Sequence, residues 1–224
     1  MKRLSFLLAS MAIAASAHAG FVSYSFGVLP QEDTPISQTG SLSLFDSSLG
    51  TLTDVQLLMR GEGTVRFQLR HSGGGVGISL DSITDIFATS SLAALNGLFS
   101  ATDPVLTMGQ NLIVNLDPGE EFDQSYSVGD LHGVAGLSAI LSSFSVAGGG
   151  AFDLTCTSKT QLIVREYGGD RDKTRIDDAT TAACGAEITY SYDRPAVGNS
   201  VPEPATLALT ALALLGISGV RRRR

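Results

Sequence analysis

The chain has no tryptophan, two cysteines and three histidines among 224 residues. Each scarcity removes a class of function. β-Sandwiches that grip sugars use aromatic platforms, and the lack of tryptophan with few clustered tyrosines argues against a carbohydrate-binding module. His18 falls in the N-terminal apolar segment, so His71 and His132 are the only histidines beyond it. That is too few, at the wrong spacing, for a zinc site of three or four clustered ligands. Ser138, His132 and Asp130 are the one imaginable triad. Gly136-Leu137-Ser138-Ala139-Ile140 lacks the second glycine of a nucleophile elbow, and both histidines read as exposed loop residues. Gly73-Gly74-Gly75 is not followed by the Lys-Ser/Thr of a phosphate cradle. Glu120 and Glu121 are neighbours, and on a strand they point to opposite faces, so they cannot flank one glycosidic bond. The expectation is a protein that is not an enzyme and carries no cofactor.

Basic charge is also scarce where it would matter. Lys2, Arg3 and Arg221 to Arg224 take six of the 15 basic residues. The rest of the chain sets nine basic against 22 acidic side chains, a net charge of −13. Such a surface repels nucleic acid and anionic headgroups, favours solubility, and is compatible with cation binding.

What is present is concentrated at the two ends. Met1-Lys2-Arg3, the apolar run Leu4 to Ala17, and Ala17-His18-Ala19 form a charged region, a hydrophobic region and a small-x-small cleavage site. Residues 1–19 therefore read as a signal peptide cleaved after Ala19, with export machinery and signal peptidase as partners. At the other end stand Val201-Pro202-Glu203-Pro204, the uncharged run Ala205 to Val220, and Arg221-Arg222-Arg223-Arg224. As a helix, residues 205–220 would span about 24 Å, or about 30 Å counted from Val201, at ~1.5 Å per residue. That covers the hydrocarbon core of a bilayer. Pro204 precedes the first turn, where proline is tolerated. The four arginines resist crossing and should stay cytoplasmic, with the globular part outside.

This tripartite end resembles the PEP-CTERM sorting signal: Val201, Pro202, Glu203, Pro204, the hydrophobic stretch and Arg221, Arg222, Arg223 and Arg224 stand in its order. The resemblance implies recognition by an exosortase, a membrane cysteine protease-transpeptidase that cuts near the motif. It also implies an inner-membrane stage before processing, then transfer to the cell surface or exopolysaccharide matrix of a Gram-negative host. The matching residues are then a processing signal, not a catalytic site.

Between the ends, residues 20–195 are of single-domain size, and residues 196–200 form a short linker. Period-2 alternation recurs along this part. Candidate strands are Phe21 to Phe26, Ser41 to Phe45, Thr51 to Met59 with its phase broken at Thr53 and Asp54, Val65 to Arg70, Val76 to Leu80, Asn111 to Leu116, Phe122 to Val128, Leu137 to Val146, Phe152 to Thr157, Leu162 to Tyr167 and Ala186 to Tyr192. Turn chemistry at Ser47 to Gly50, Arg60 to Gly63, Asp117 to Gly119 and Gly148 to Gly150 separates them. The expected fold is all-β, a β-sandwich of jelly-roll or Ig-like type. Ser82 to Phe99 has a rough helical spacing and reads as a short capping helix or as an edge strand plus loop.

Cys156 and Cys184 lie in the exported part, where an oxidising compartment makes a disulfide the default. Closing that loop stabilises a fold by roughly 3–4 kcal/mol in the chain-entropy view. Gly168 to Thr181 reads as a solvated loop. Its carboxylates Asp170, Asp172, Asp177 and Asp178 are a weak calcium candidate, because Arg171, Lys173 and Arg175 interleave and EF-hand spacing is missing. The stretch Thr39 to Val55, with Phe45-Asp46 and Leu49-Gly50-Thr51-Leu52, and the closing Ile188 to Tyr192 are similar to the choice-of-anchor E domain family. That implies a surface-anchored β domain without catalytic residues. On their own physics, Gly50 suits a turn at positive φ and Asp46 can accept from turn amides. The combined expectation is an envelope protein of structural or adhesive type, associated with exopolysaccharide. Two alternatives remain: a carbohydrate-binding module, and a secreted hydrolase.

Overall fold

In the computed structural model, the structure describes residues 19–169 and 173–195. Ala19 to Asp193 form one compact unit. Its strands are β1 (Ala19–Phe26), β2 (Glu32–Asp33), β3 (Ser37–Asp46), β4 (Thr51–His71), β5 (Val76–Ser90), β6 (Leu106–Leu116), β7 (Glu121–Gly133), β8 (Ser145–Val146), β9 (Gly150–Tyr167) and β10 (Thr174–Asp193). One sheet runs β1-β10-β4-β7, with β2 also on β10; the other runs β6-β5-β9-β3-β8. The two sheets share an apolar interior, so the expected all-β sandwich is what forms.

Alternation fills that interior. Along β4, Val55, Leu57, Met59, Val65, Phe67 and Leu69 point inward and are nearly solvent-free. Arg60, Arg66 and Arg70 face out. The core divides into two clusters. One gathers Phe45, Leu57, Met59, Ile86, Phe144, Leu154, Ile188 and Tyr190; the other gathers Val65, Phe67, Leu69, Ile78, Leu80 and Leu116.

The strands are longer than their sequence signals. Arg60 to Gly63 is not a turn but the middle of β4, which pairs with β10 on one side and β7 on the other. Gly61 and Gly63 keep the inward phase, and neither takes a positive φ. Two full ladders outweigh the local turn preference of two glycines. The phase break at Thr53 and Asp54 is a β-bulge: Ser191 pairs with Asp54 and Tyr192 with Leu52, leaving Thr53 as the extra residue. Phe152 to Tyr167 likewise forms one strand, β9, not two.

Three other expectations are corrected. For Ser82 to Phe99 the strand-plus-loop alternative is nearer than the capping helix: Ser82 to Ser90 continues β5, which lies between β6 and β9 and so is not an edge, and only Ala93–Asn96 is helical, a single turn. The helical spacing misled because the inward positions Ser82, Thr84 and Ser90 are polar while Ile83 and Phe87 face outward. Leu137–Phe144 is a 3₁₀ segment with Leu137 and Phe144 buried, followed by β8, which pairs in parallel with Phe45 and Asp46. Thr174 to Thr181 is strand within β10, not loop. Cys184, ahead of the expected strand Ala186 to Tyr192, thus sits mid-strand in β10.

Candidate functional site

Val201, Pro202, Glu203, Pro204, Arg221, Arg222, Arg223 and Arg224, the helix expected over 205–220 and the signal peptide all lie outside the described residues. Among the described residues no helix is long and apolar enough to cross a membrane.

The cysteines are joined. Cys156 on β9 and Cys184 on β10 form a disulfide with Cα atoms 6.5 Å apart, both fully buried. It ties one sheet to the other inside the larger core cluster. Beside it Gln38 bridges three segments, donating from Nε2 to Pro30 O at 2.7 Å and accepting from Cys184 N at 3.1 Å.

Several of the residues considered for chemistry hold structural partners. Asp130 accepts from the amides of Thr107 and Leu131, and His132 is exposed on β7. Ser138 belongs to the 3₁₀ segment. Glu120 accepts from Asp117 N at 2.9 Å within the turn, while Glu121 pairs loosely with Arg70 at 3.5 Å. His71 overturns the exposed-loop reading: it is 2% exposed at the end of β4. Its Nε2 donates to Gly74 O and its Nδ1 lies 3.0 Å from Thr174 Oγ1, so it clamps the β4–β5 turn to the start of β10.

Of the calcium candidates, Asp170 and Asp172 are outside the described residues. Asp177 and Asp178 are consecutive on β10 and so face opposite ways. Asp177 is held by Arg175, Nε to Oδ2 at 2.8 Å. Among the described residues no group of three or more His, Cys, Asp or Glu side chains is set to hold a metal.

Asp46 behaves as its position predicts, accepting from Ser48 N at 2.9 Å and Gly148 N at 3.0 Å. The Ser48 bonds first, and Gly148 after them, hold its carboxyl below the usual range. Gly50, at φ 150°, ends that turn. On the outer face Arg66 makes a forked pair with Asp123, at 2.9 and 2.6 Å, and Gln68 adds a bond at 2.9 Å. These hydrogen bonds, Arg66's foremost, pull the Asp123 carboxyl down to about 2. Tyr190 is fully buried, and burial pushes its phenol well above the ordinary value. Its hydroxyl donates to Ser43 O at 2.8 Å.

One region was not visible in the sequence. Between the two core clusters the inward positions turn small and polar: Gly61, Gly63, Ser82, Thr84, Ser158, Thr160 and Thr180. Thr84 and Thr160 share a hydrogen bond of 3.1 Å, and Ser158 Oγ accepts from Ile36 N. Among the described residues, the hydroxyls of Ser82 and Thr180 are buried with no partner. On one flank this polar waist opens into a cleft of about 700 Å³ between β9 and β10, lined by Asp33, Thr34, Ser158, Thr160, Asp178 and Thr180 among others. Alternating serine and threonine in a strand is the only local signal, and it reads equally as solvent-facing.

A sequence model of the PEP-CTERM protein-sorting motif matches residues 200–224, so the chain ends in that motif. The motif implies an exported protein with a C-terminal membrane-anchoring signal that is processed by an exosortase. No curated protein matches the chain. Among solved structures, a CocE/NonD family hydrolase from Staphylococcus aureus aligns at 8% identity over 78% of this chain and 33% of its own, with a TM-score of 0.19. Chains of the infectious bursal disease virus particle and of its Gt strain align at 14% identity, over 88% and 97% of this chain and 45% and 53% of theirs, with TM-scores of 0.14 and 0.11. The chain thus spans between a third and about half of these solved chains. Likeness this slight carries no argument about fold or activity.

Proposed function

We propose that this chain is a structural or adhesive envelope protein, exported by a signal peptide over residues 1–19. Residues 205–220 hold it in the inner membrane until an exosortase cuts near Pro202-Glu203-Pro204 and passes it to the cell surface or exopolysaccharide. The matched motif over residues 200–224 carries this reading. The buried inter-sheet disulfide supports it, since such bonds persist in oxidising compartments. The Asp46 turn and the long closing strand β10 agree with a choice-of-anchor E type of domain. On this reading the chain is not an enzyme, and Asp130, Glu120, Glu121 and His71 serve turns, ladders or clamps.

Deleting residues 201–224 and fractionating the host cells tests the anchoring. The truncated chain should leave the envelope fraction for the periplasm or medium. Surface retention equal to the intact chain would refute it.

A further inference from the structure

Strands with one free side invite pairing with another chain, and charged side chains along them discourage it. β7 carries Glu121, Asp123 and Asp130, and the part of β9 beyond its pairing with β3 carries Lys159, Arg165 and Glu166. β6 carries none. Leu106–Leu116 runs for 11 residues without a charge or a proline, pairs with β5 alone, and keeps one register throughout.

The register fixes which backbone groups of β6 face away from the sheet. On an antiparallel strand, alternate residues turn both amide and carbonyl toward the same neighbour. Just past β5, Ser91 N donates to Asp153 O, so the odd-numbered positions of β5 serve β9 and the even-numbered ones serve β6. β5 and β6 pair even with even, so Thr107, Gly109, Asn111, Ile113 and Asn115 turn their backbone groups outward. Two contacts agree. The Thr107 amide donates away from β5, to Asp130 Oδ2 at 3.0 Å. Asn111 O accepts from the side-chain amide of Gln110 at 2.8 Å. Among the described residues nothing takes the amides of Gly109, Asn111 and Ile113.

The side chains at these positions stand on the outer face of the sheet. Ile113 is 71% exposed there. Above Gly109 the face is bare: a Cβ at that position would meet Ser82 O at 3.4 Å and nothing nearer.

We propose that β6 is where two copies of this chain join, antiparallel about a two-fold axis at Asn111. A two-fold contact is self-complementary, so Asn111 meets Asn111 and Ile113 of each copy meets Gly109 of the other. The outward amides and carbonyls at 109, 111 and 113 then satisfy one another in about six hydrogen bonds. Each exposed Ile113 side chain fills the gap left by a glycine, and no like charges lie opposite along the seam. The acidic surface elsewhere holds copies apart, which leaves this uncharged edge as the place of approach. The pair is weak, of the size of a transient interface. It does not rest on the sorting signal, and either could fail without the other.

The test uses the purified full chain in excess detergent. Cys156 and Cys184 are bonded to each other, so one added cysteine supplies the free thiol. Across the proposed pair, two Asn111 Cα atoms lie about 5.5 Å apart, within disulfide reach, and two Ile113 Cα atoms roughly 14 Å apart, beyond it. Mild oxidation should therefore give a covalent dimer of Asn111→Cys and leave Ile113→Cys monomeric. Asn111→Lys sets two ammonium groups opposite each other while making the chain less acidic. It should weaken association at least about tenfold in sedimentation velocity. Phe21→Lys, on the uncharged edge strand β1, should leave association unchanged. Failure of Asn111→Cys to dimerise overturns the proposal, as does equal dimerisation of both cysteine variants. Association that survives Asn111→Lys, as it would if residues 205–220 caused it within shared micelles, also overturns it. So does its loss in Phe21→Lys, which would place the contact on β1.

Discussion

At the scale of single residues, hydrogen bonding to side chains decides more than charge count does. Asp123 shows this: Arg66 and Gln68 together donate three bonds to its two oxygens. Its folded pKa falls from 3.8 to about 2. A depressed carboxylate contributes stability that is present above the unfolded pKa and lost as pH falls through the folded one. For Asp123 that window runs from about pH 4 down to about pH 2. Arg66→Gln should return the Asp123 titration toward its ordinary value, as followed by carboxyl carbon shifts. An unchanged midpoint would show that Arg66 is not the cause. Both partners are about half exposed, so the effect on stability at neutral pH should be slight.

At the scale of elements, β10 organises the molecule, pairing with β1, β2 and β4 and holding Cys184 against β9. Replacing both Cys156 and Cys184 by alanine should cost about 3–4 kcal/mol in chemical denaturation, because the sheets lose their covalent link. A loss within error of zero would mean that packing alone fixes the sheets. The two glycines of β4 differ in what surrounds them. A Cβ on Gly63 would lie 2.5 Å from the Thr181 carbonyl oxygen, a backbone atom that the ladder holds. On Gly61 it would meet the side chains of Met108, Leu106 and Ile86 at 3.1–3.3 Å, and these can shift. Gly63→Ala should therefore destabilise by about 1–3 kcal/mol and Gly61→Ala by clearly less, measured as paired Tm shifts. Equal effects would refute the close approach at Gly63. The same two residues show why β4 was hard to read. Arg60-Gly61-Glu62-Gly63 has turn composition, and only pairing on both edges makes it strand.

At the scale of the whole molecule, the compact unit Ala19 to Asp193 and the motif over residues 200–224 carry separate information. Intact mass spectrometry of protein recovered from its host should give a chain beginning near Gly20 and lacking residues after the sorting motif. The mass should also be two hydrogens short, for the disulfide. A mass that includes both Met1 and Arg224 would refute export and processing together.

The sorting motif was legible because its recognition is local: Pro202-Glu203-Pro204, an uncharged run and four arginines need no fold to be read. The all-β class was legible for a similar reason, since alternation in Val65 to Arg70 or Phe21 to Phe26 reflects one buried face per strand. The Asp46 turn followed from a side chain reaching amides two residues away. Strand length, the burial of His71 and the strand at Thr174 to Thr181 were not legible, because each depends on partners 50 to 150 residues distant in the chain. The polar waist is the sharpest case. Ser158 and Thr160 fall between two candidate strands and Thr180 in an expected loop, and only the pairing that extends β9 and β10 brings all three to one cleft.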